Sequence, residues 1–218
     1  MATVEDREQI ESQCEQRVVI HDVSWEDYEQ FLEVIGDNHS PRLTYFEGEL
    51  ELMSPSPRHE RSGRFLSRMI EALSEELDIA VAGYGMTTWR RKDKKSGLEA
   101  DACYYITNEA TVRERDEIDL LVDPPPDLAI EVQISRSAIN KLRTYSALGI
   151  PEVWLYRADK VRVMRLMTDG QYEEAEHSAF FPPGAMQGIR EFLEKRGKPN
   201  ETAWIKGFRQ WVRQTLLR

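Results

Sequence analysis

Apolar positions follow distinct rhythms along the chain, and each rhythm predicts an element. Trp25, Tyr28, Leu32 and Ile35 share one helical face behind Ser24, with Asp27 completing a capping-box-like pair and Gly36 as the stop. Arg42–Phe46 and Glu49–Met53 alternate on either side of Glu47 and Gly48, as two strands of a tight hairpin do. Ser56 and Pro57 supply a cap and a first-turn proline for a helix running to about Asp78, whose Leu66, Met69, Ile70, Leu73 and Leu77 form an apolar stripe. The runs Ile79 to Arg90, Ala100 to Ile106, Leu128 to Ile134 and Val153 to Tyr156 read as strands, with a helix from about Ser137 to Leu148 before the last. Val161 to Met167 adds another strand.

Past Gly170 the pattern weakens. Residues 171–180 suggest an edge strand, Gln187 to Lys195 a short helix, and Trp204, Phe208, Trp211, Val212 and Leu216 an amphipathic packing helix. Residues 1–17 are charged and nearly free of aromatics, which predicts a frayed arm or a short helix without function. The organisation expected is an arm at 1–23, a core at 24–168 and a C-terminal helical extension at 169–218 packed on or beside that core. Strands, one crossover helix and a further strand imply an α/β or α+β sheet covered by helices, not a sandwich.

The 218 residues are 40% hydrophobic and 31% charged, which fits one globular domain with appendages. No apolar run approaches the roughly 20 residues needed to cross a bilayer, and the polar N-terminus lacks a signal sequence, so a cytoplasmic location without a membrane partner is expected. Cys14 and Cys103 have no CxxC spacing and read as bland thiols. The net charge of −10 is unevenly spread: residues 1–57 hold 14 acidic and 3 basic side chains, which leaves 25 acidic and 26 basic ones for the rest. Arg58, Arg61, Arg64 and Arg68 recur at helical spacing, and Arg90, Arg91, Lys92, Lys94 and Lys95 form a basic run. Each is either a solvated face or a surface for nucleic-acid phosphates.

GxSxG, Walker A and HExxH patterns are absent, and the four histidines are not at metal-ligand spacing; only His59, beside Glu60, carries weight. The informative residues are carboxylates inside apolar strands, Asp101 in LEADACYYI and Glu131 in PPPDLAIEVQI. Such groups need a cation, a metal or hydrogen bonds. Alternation puts Glu131 and Gln133 on one strand face. Hard oxygen ligands of this kind suit Mg²⁺, and an arginine partner or a turn cap suits them equally.

These two runs, followed by INKLRTYSALGIPEVWLY, resemble the bacterial putative restriction endonuclease family, formerly of unknown function, within the PD-(D/E)xK nuclease superfamily. The resemblance covers about Ser24 to Leu166. It implies a restriction-endonuclease-like α/β core, with a mixed central sheet flanked by helices and an N-terminal helix and hairpin. It also implies a Mg²⁺-dependent or Mn²⁺-dependent endonuclease acting on DNA. Asp101 matches the motif aspartate, with Ala100 where proline is usual, and Glu131 matches the second acid. The implied metal ligands are Asp101, Glu131 and the carbonyl of Val132, and Glu60 is similar to the accessory helix acid. Gln133 stands where the superfamily has lysine, and Lys141 on the following helix is the candidate for the missing ammonium. The alternative is a decayed site serving only nucleic-acid or protein binding. A sugar hydrolase built on a carboxylate pair is a weaker rival, since no sugar-stacking cleft is evident. A homodimer is compatible with cutting both strands of a duplex.

Overall fold

The computed structural model describes residues 15–36 and 40–217. Cys14, His39 and most of the expected N-terminal arm lie outside the described residues. Two sheets share the chain. The first contains β1 (Gln16–Ile20), β2 (Arg42–Phe46), β3 (Glu49–Ser54), β5 (Thr88–Arg91) and β6 (Ser96–Glu99), all antiparallel in the order β1-β3-β2-β6-β5. The second is mixed and contains β4 (Ala82–Gly83), β7 (Ala102–Tyr105), β8 (Leu128–Gln133), β9 (Glu152–Arg157), β10 (Lys160–Leu166) and β11 (Tyr172–Ala175), in the order β11-β10-β9-β8-β7-β4. Its one parallel pair, β8 with β9, is joined through a helix, α4 (Lys141–Leu148), as a parallel connection requires.

The hairpin forms as its sequence predicts. Phe46 pairs with Glu49, and Glu47 and Gly48 both take positive φ, the geometry that matches a two-residue turn to the strand twist. Helix α1 (Trp25–Ile35), closed by the Ser24–Asp27 capping box, seats Trp25 and Tyr28 on this sheet, with Tyr28 stacked on Tyr45 at 4.8 Å. Gly97 of β6 is required there, because a Cβ would lie 2.3 Å from the Tyr28 hydroxyl.

Four expectations change. The run Ile79 to Arg90 is not one strand; β4 and β5 belong to different sheets, with Gly85 at φ +54° between them. The strand expected from Ala100 to Ile106 is Ala102–Tyr105: β6 ends at Glu99 in the first sheet, β7 starts at Ala102 in the second, and Ala100 and Asp101 form the corner between them. Gln16 and Arg17, expected in a frayed arm, open β1 and pair with Ser54 and Met53. The helix before β9 also starts later than Ser137, at Lys141 behind the Asn140 cap.

One face of the second sheet presents Ala102, Leu128, Ile130, Val132, Trp154 and Val163 to α2 (Pro57–Leu77) and to two C-terminal helices, α5 (Ala185–Glu194) and α6 (Glu201–Thr215). The opposite face buries Cys103, Tyr105, Ala129, Val153 and Leu155 against Tyr145 and Leu148 of α4. A short α3 (Glu109–Val112) and a 3-10 turn at Lys92–Lys94 complete the chain. The C-terminal helices share the main core: Phe181, Ile189, Leu193, Trp204 and Phe208 pack in one cluster with Phe65, Leu66 and Met69. Gly188 allows α5 to approach α6 so closely that a Cβ would meet the Trp211 ring at 2.1 Å. No helix among the described residues is long and apolar enough to cross a membrane.

A chain truncated after Thr168 uncovers the apolar stripe of α2. Each large side chain left exposed forfeits roughly 1.5–3 kcal/mol, so such a chain is expected to show no cooperative thermal transition by circular dichroism. A sharp transition close to that of the full chain would establish the extension as separable.

Candidate active site

The corner at Asp101 lies where α2, β2 and β8 converge. One carboxylate oxygen accepts from the backbone N–H of Val132 at 2.5 Å, taking a position that a strand partner would otherwise fill. The other lies 2.7 Å from His59 Nε2 and is ion-paired with Arg42. Arg42 opens β2, and it also contacts His59 Nε2 at 2.9 Å and Glu60 at 2.5 Å. His59 is buried because it sits in the first turn of α2, behind Ser56, whose hydroxyl accepts from its N–H.

The far nitrogen of His59 leads to a residue that the sequence did not single out. Nδ1 is 2.5 Å from Glu15 Oε1, and Glu15 Oε2 accepts from the Ser135 N–H at 3.0 Å and pairs with Arg17 at 2.7 Å. Arg17 pairs in turn with Glu51 of β3, which accepts from Ser137 Oγ at 2.9 Å and from the Ala138 N–H at 2.9 Å. Burial tends to raise the Glu15 carboxyl, but hydrogen bonds from His59, Ser135 and Arg17 outweigh it and hold the group well below the usual carboxylate range.

Glu131 is fully buried on the β8 face that carries Ala129. Tyr145 donates to Oε2 at 2.9 Å, and Lys141 Nζ lies 2.7 Å from Oε1. Lys141 is itself buried, so the first residue of α4 does lean back to β8. Burial, with the Glu131 charge adding to it, pushes the Tyr145 hydroxyl well up, which keeps it a donor. Other buried carboxylates are satisfied differently: Asp127 accepts from the N–H groups of Ile106, Thr107 and Asn108, and Glu152 from Trp154 Nε1, Ser178 Oγ and the Ala179 N–H. Those neutral donors mark turn and strand caps. The cations gathered around Glu15, Glu51, Asp101 and Glu131 set this cluster apart.

Four of the predicted site residues line two clefts, whereas Glu131 and Val132 are fully buried and line neither. Asp101 and Glu60 border one of about 550 Å³ with Arg42, His59 and Arg64. Gln133 and Lys141 border another of about 590 Å³ with Arg136 and Arg157. Asp101 bonds to Val132, the neighbour of Glu131 in the chain, so the two carboxylates flank one short stretch of β8. Among the described residues no three His, Cys, Asp or Glu side chains stand at metal-ligand spacing.

Most of the expected phosphate-binding residues are already paired: Arg58 with Asp159 at 3.0 Å, Arg61 and Arg68 with Glu201, Arg91 with Asp93 at 2.6 Å, and Lys92 with Glu26 at 3.0 Å. Cys103 is an inert thiol, pushed up to about 12 by burial.

A mixed sheet flanked by helices, with buried carboxylates held by basic side chains at its seam, defines a restriction-endonuclease-like fold. Residues 25–194 match the Uma2 family, described as "Putative restriction endonuclease", and the chain belongs to that family. It is also similar to a crystal structure of a putative nuclease belonging to DUF820 from Anabaena variabilis. That likeness has 17% identity and a TM-score of 0.49, and covers 81% of this chain and 97% of the other. No curated protein sequence matches the chain significantly.

Sequence reasoning passed over Glu15, Arg17, Arg42 and Glu51. Only Arg42 left a usable signal, as an arginine opening an apolar strand. Because the folded Glu15 carboxyl is depressed, its stabilising contribution is present above the unfolded value of about 4.3 and fades as pH falls below it. Glu15→Gln is therefore expected to lower the unfolding midpoint at neutral pH, with the gap from the native chain narrowing toward pH 3. A gap independent of pH would show that the carboxylate charge does not matter.

Proposed function

We propose that this protein is a metal-dependent endonuclease that hydrolyses DNA phosphodiester bonds. The observation that carries this reading is the buried Glu131–Lys141 pair beside the strand position gripped by Asp101, in a chain of a restriction endonuclease family. Asp101, at the corner before β7, and Glu131, on β8, are hard oxygen donors. Among the described residues Glu131 Oε1 accepts no hydrogen bond of good geometry, and the Lys141 ammonium lies 2.7 Å from it. Mg²⁺ needs only one or two protein carboxylates and keeps waters, so the donor set fits it or Mn²⁺, with the Val132 carbonyl as a further ligand. When bound, such an ion supplies an acidified water and Lewis-acid stabilisation of phosphate charge.

The chain's own residues prepare that chemistry. Arg42 and His59 hold the Asp101 carboxylate in one orientation, and Glu60 fixes the other side of the Arg42 guanidinium. Lys141 stands beside Glu131 with its ammonium ready for charge developing on a phosphate oxygen, the task the superfamily gives to the position that Gln133 occupies here. Gln133, at the mouth of the same cleft, can orient a water but carries no charge. Two copies related by a two-fold axis would serve the two strands of a duplex.

One observation favours a binding module without catalysis: Arg42 neutralises Asp101 and Lys141 neutralises Glu131, so a metal must displace or share both contacts. Metal titration separates the readings. Asp101→Asn is expected to weaken Mn²⁺ binding by calorimetry and to lower plasmid cleavage by at least about a hundredfold. It leaves the buried Arg42 with only the half-exposed Glu60 carboxylate to balance its charge, so the unfolding midpoint should fall. Lys141→Arg keeps the charge and should cost cleavage while sparing metal binding, and Gln133→Lys should restore part of that loss. A native chain that binds duplex DNA but neither takes up Mn²⁺ nor cleaves would leave the binding module standing.

A further inference from the structure

The cleft bordered by Gln133, Arg136, Ser137, Asn140, Lys141 and Arg157 is chemically unlike the others around it. It has three basic side chains in its lining and no carboxylate, in a chain of net charge −10. The cleft beside Asp101 includes Glu60 and Glu201, and the one between β10 and α5 includes Asp159, Glu174, Glu176 and Glu194. Arg136 and Arg157 are exposed and make no ion pair among the described residues, whereas Arg58, Arg61 and Arg68 of α2 each have a carboxylate partner.

The position is also unusual. Gln133 and Arg157 are register partners at the C-terminal ends of β8 and β9, the parallel pair, where open α/β sheets characteristically bind ligands. The N-terminus of α4 borders the same space and adds the positive end of its dipole. The loop bearing Arg136 is pinned from beneath: the Ser135 N–H is bonded to Glu15 and the Ala138 N–H to Glu51. Those backbone donors are used up, so the guanidinium forks of Arg136 and Arg157 are what the cleft offers a ligand, from bases that are held in place. A guanidinium fork matches phosphate oxygens in pairs.

We propose that this cleft is a phosphate-binding subsite in which Arg136 and Arg157 grip a phosphodiester of the nucleic-acid backbone. Occupancy would bring that backbone against the Lys141–Glu131 pair. The assignment of the phosphate to nucleic acid rests on the nuclease reading. The subsite itself rests on the cleft.

The test uses the full chain and a short labelled DNA duplex in a chelator, which prevents cleavage, with anisotropy read across a salt series. Arg136→Gln with Arg157→Gln is expected to weaken binding roughly tenfold or more and to reduce the salt slope by about 2, the share of two phosphate contacts. Both residues are exposed, so the variant should fold as the native chain does. Arg91→Gln with Lys92→Gln, which removes paired cations, should leave the slope nearly unchanged. An unaltered slope in the first variant, or no duplex binding by the native chain, overturns the proposal.

Inorganic phosphate is the second probe. If it raises the native unfolding midpoint while the duplex does not bind, the cleft takes free phosphate and the backbone assignment is wrong. Cleavage assays keep the two readings apart. A native chain that fails to cleave but loses slope in the double variant keeps the subsite and loses the nuclease. A chain that cleaves with an unaltered slope does the reverse.

Discussion

Four carboxylates buried at the meeting of two sheets constrain everything around them. Glu15, Glu51, Asp101 and Glu131 each lie in surroundings where an uncompensated charge costs several kcal/mol. Each is matched by basic side chains: Arg17 and His59 for Glu15, Arg17 for Glu51, Arg42 with His59 for Asp101, and Lys141 for Glu131. The pairs tie β1, β2, β3, α2, the corner before β7, the loop after β8 and α4 into one body. Removing a shared cation such as Arg17 leaves buried carboxylates short of compensation, so the seam is specified by the network as much as by apolar packing.

The corner at Ala100 and Asp101 is the covalent hinge of this arrangement. A strand continuing straight from β6 would have stayed in the first sheet, and Val132 would have needed another acceptor. Instead the Asp101 carboxylate takes the Val132 N–H, and the chain enters the second sheet as β7. The same bond brings Asp101 alongside the segment that carries Glu131. The C-terminal helices secure the other side of the second sheet, so the fold holds its site from both faces.

The charge distribution makes functional sense in this frame. The acidic N-terminal quarter is not a bystander, since Glu15 and Glu51 brace the loop that carries Arg136. Arg58, Arg61 and Arg68 along α2, and Arg91 and Lys92 in the run before Ser96, are paired with surface acids, pairs that contribute little to stability but mask the charge. The mouth of the cleft beside Lys141 stays open and cationic, with no carboxylate in its lining.

Local order was legible in the chain. The capping box at Ser24, the proline turn at Ser56, the hairpin at Glu47 and Gly48, and the stripe of α2 follow from spacings shorter than two turns or one strand. Asp101 and Glu131 stood out as carboxylates in apolar runs, and Lys141 as the ammonium that the family resemblance called for. Tertiary structure alone decided that Ile79 to Arg90 divides between sheets, that Gln16 and Arg17 open a strand, and that His59 stands between Glu15 and Asp101. It also decided which basic residues are spent and which are free. The reason is range: periodicity reports a residue's face through its nearest neighbours, whereas Glu15 meets Ser135 and Arg58 meets Asp159 across more than a hundred residues. A buried charge announces in the sequence that it needs a partner, and only the folded chain selects which one.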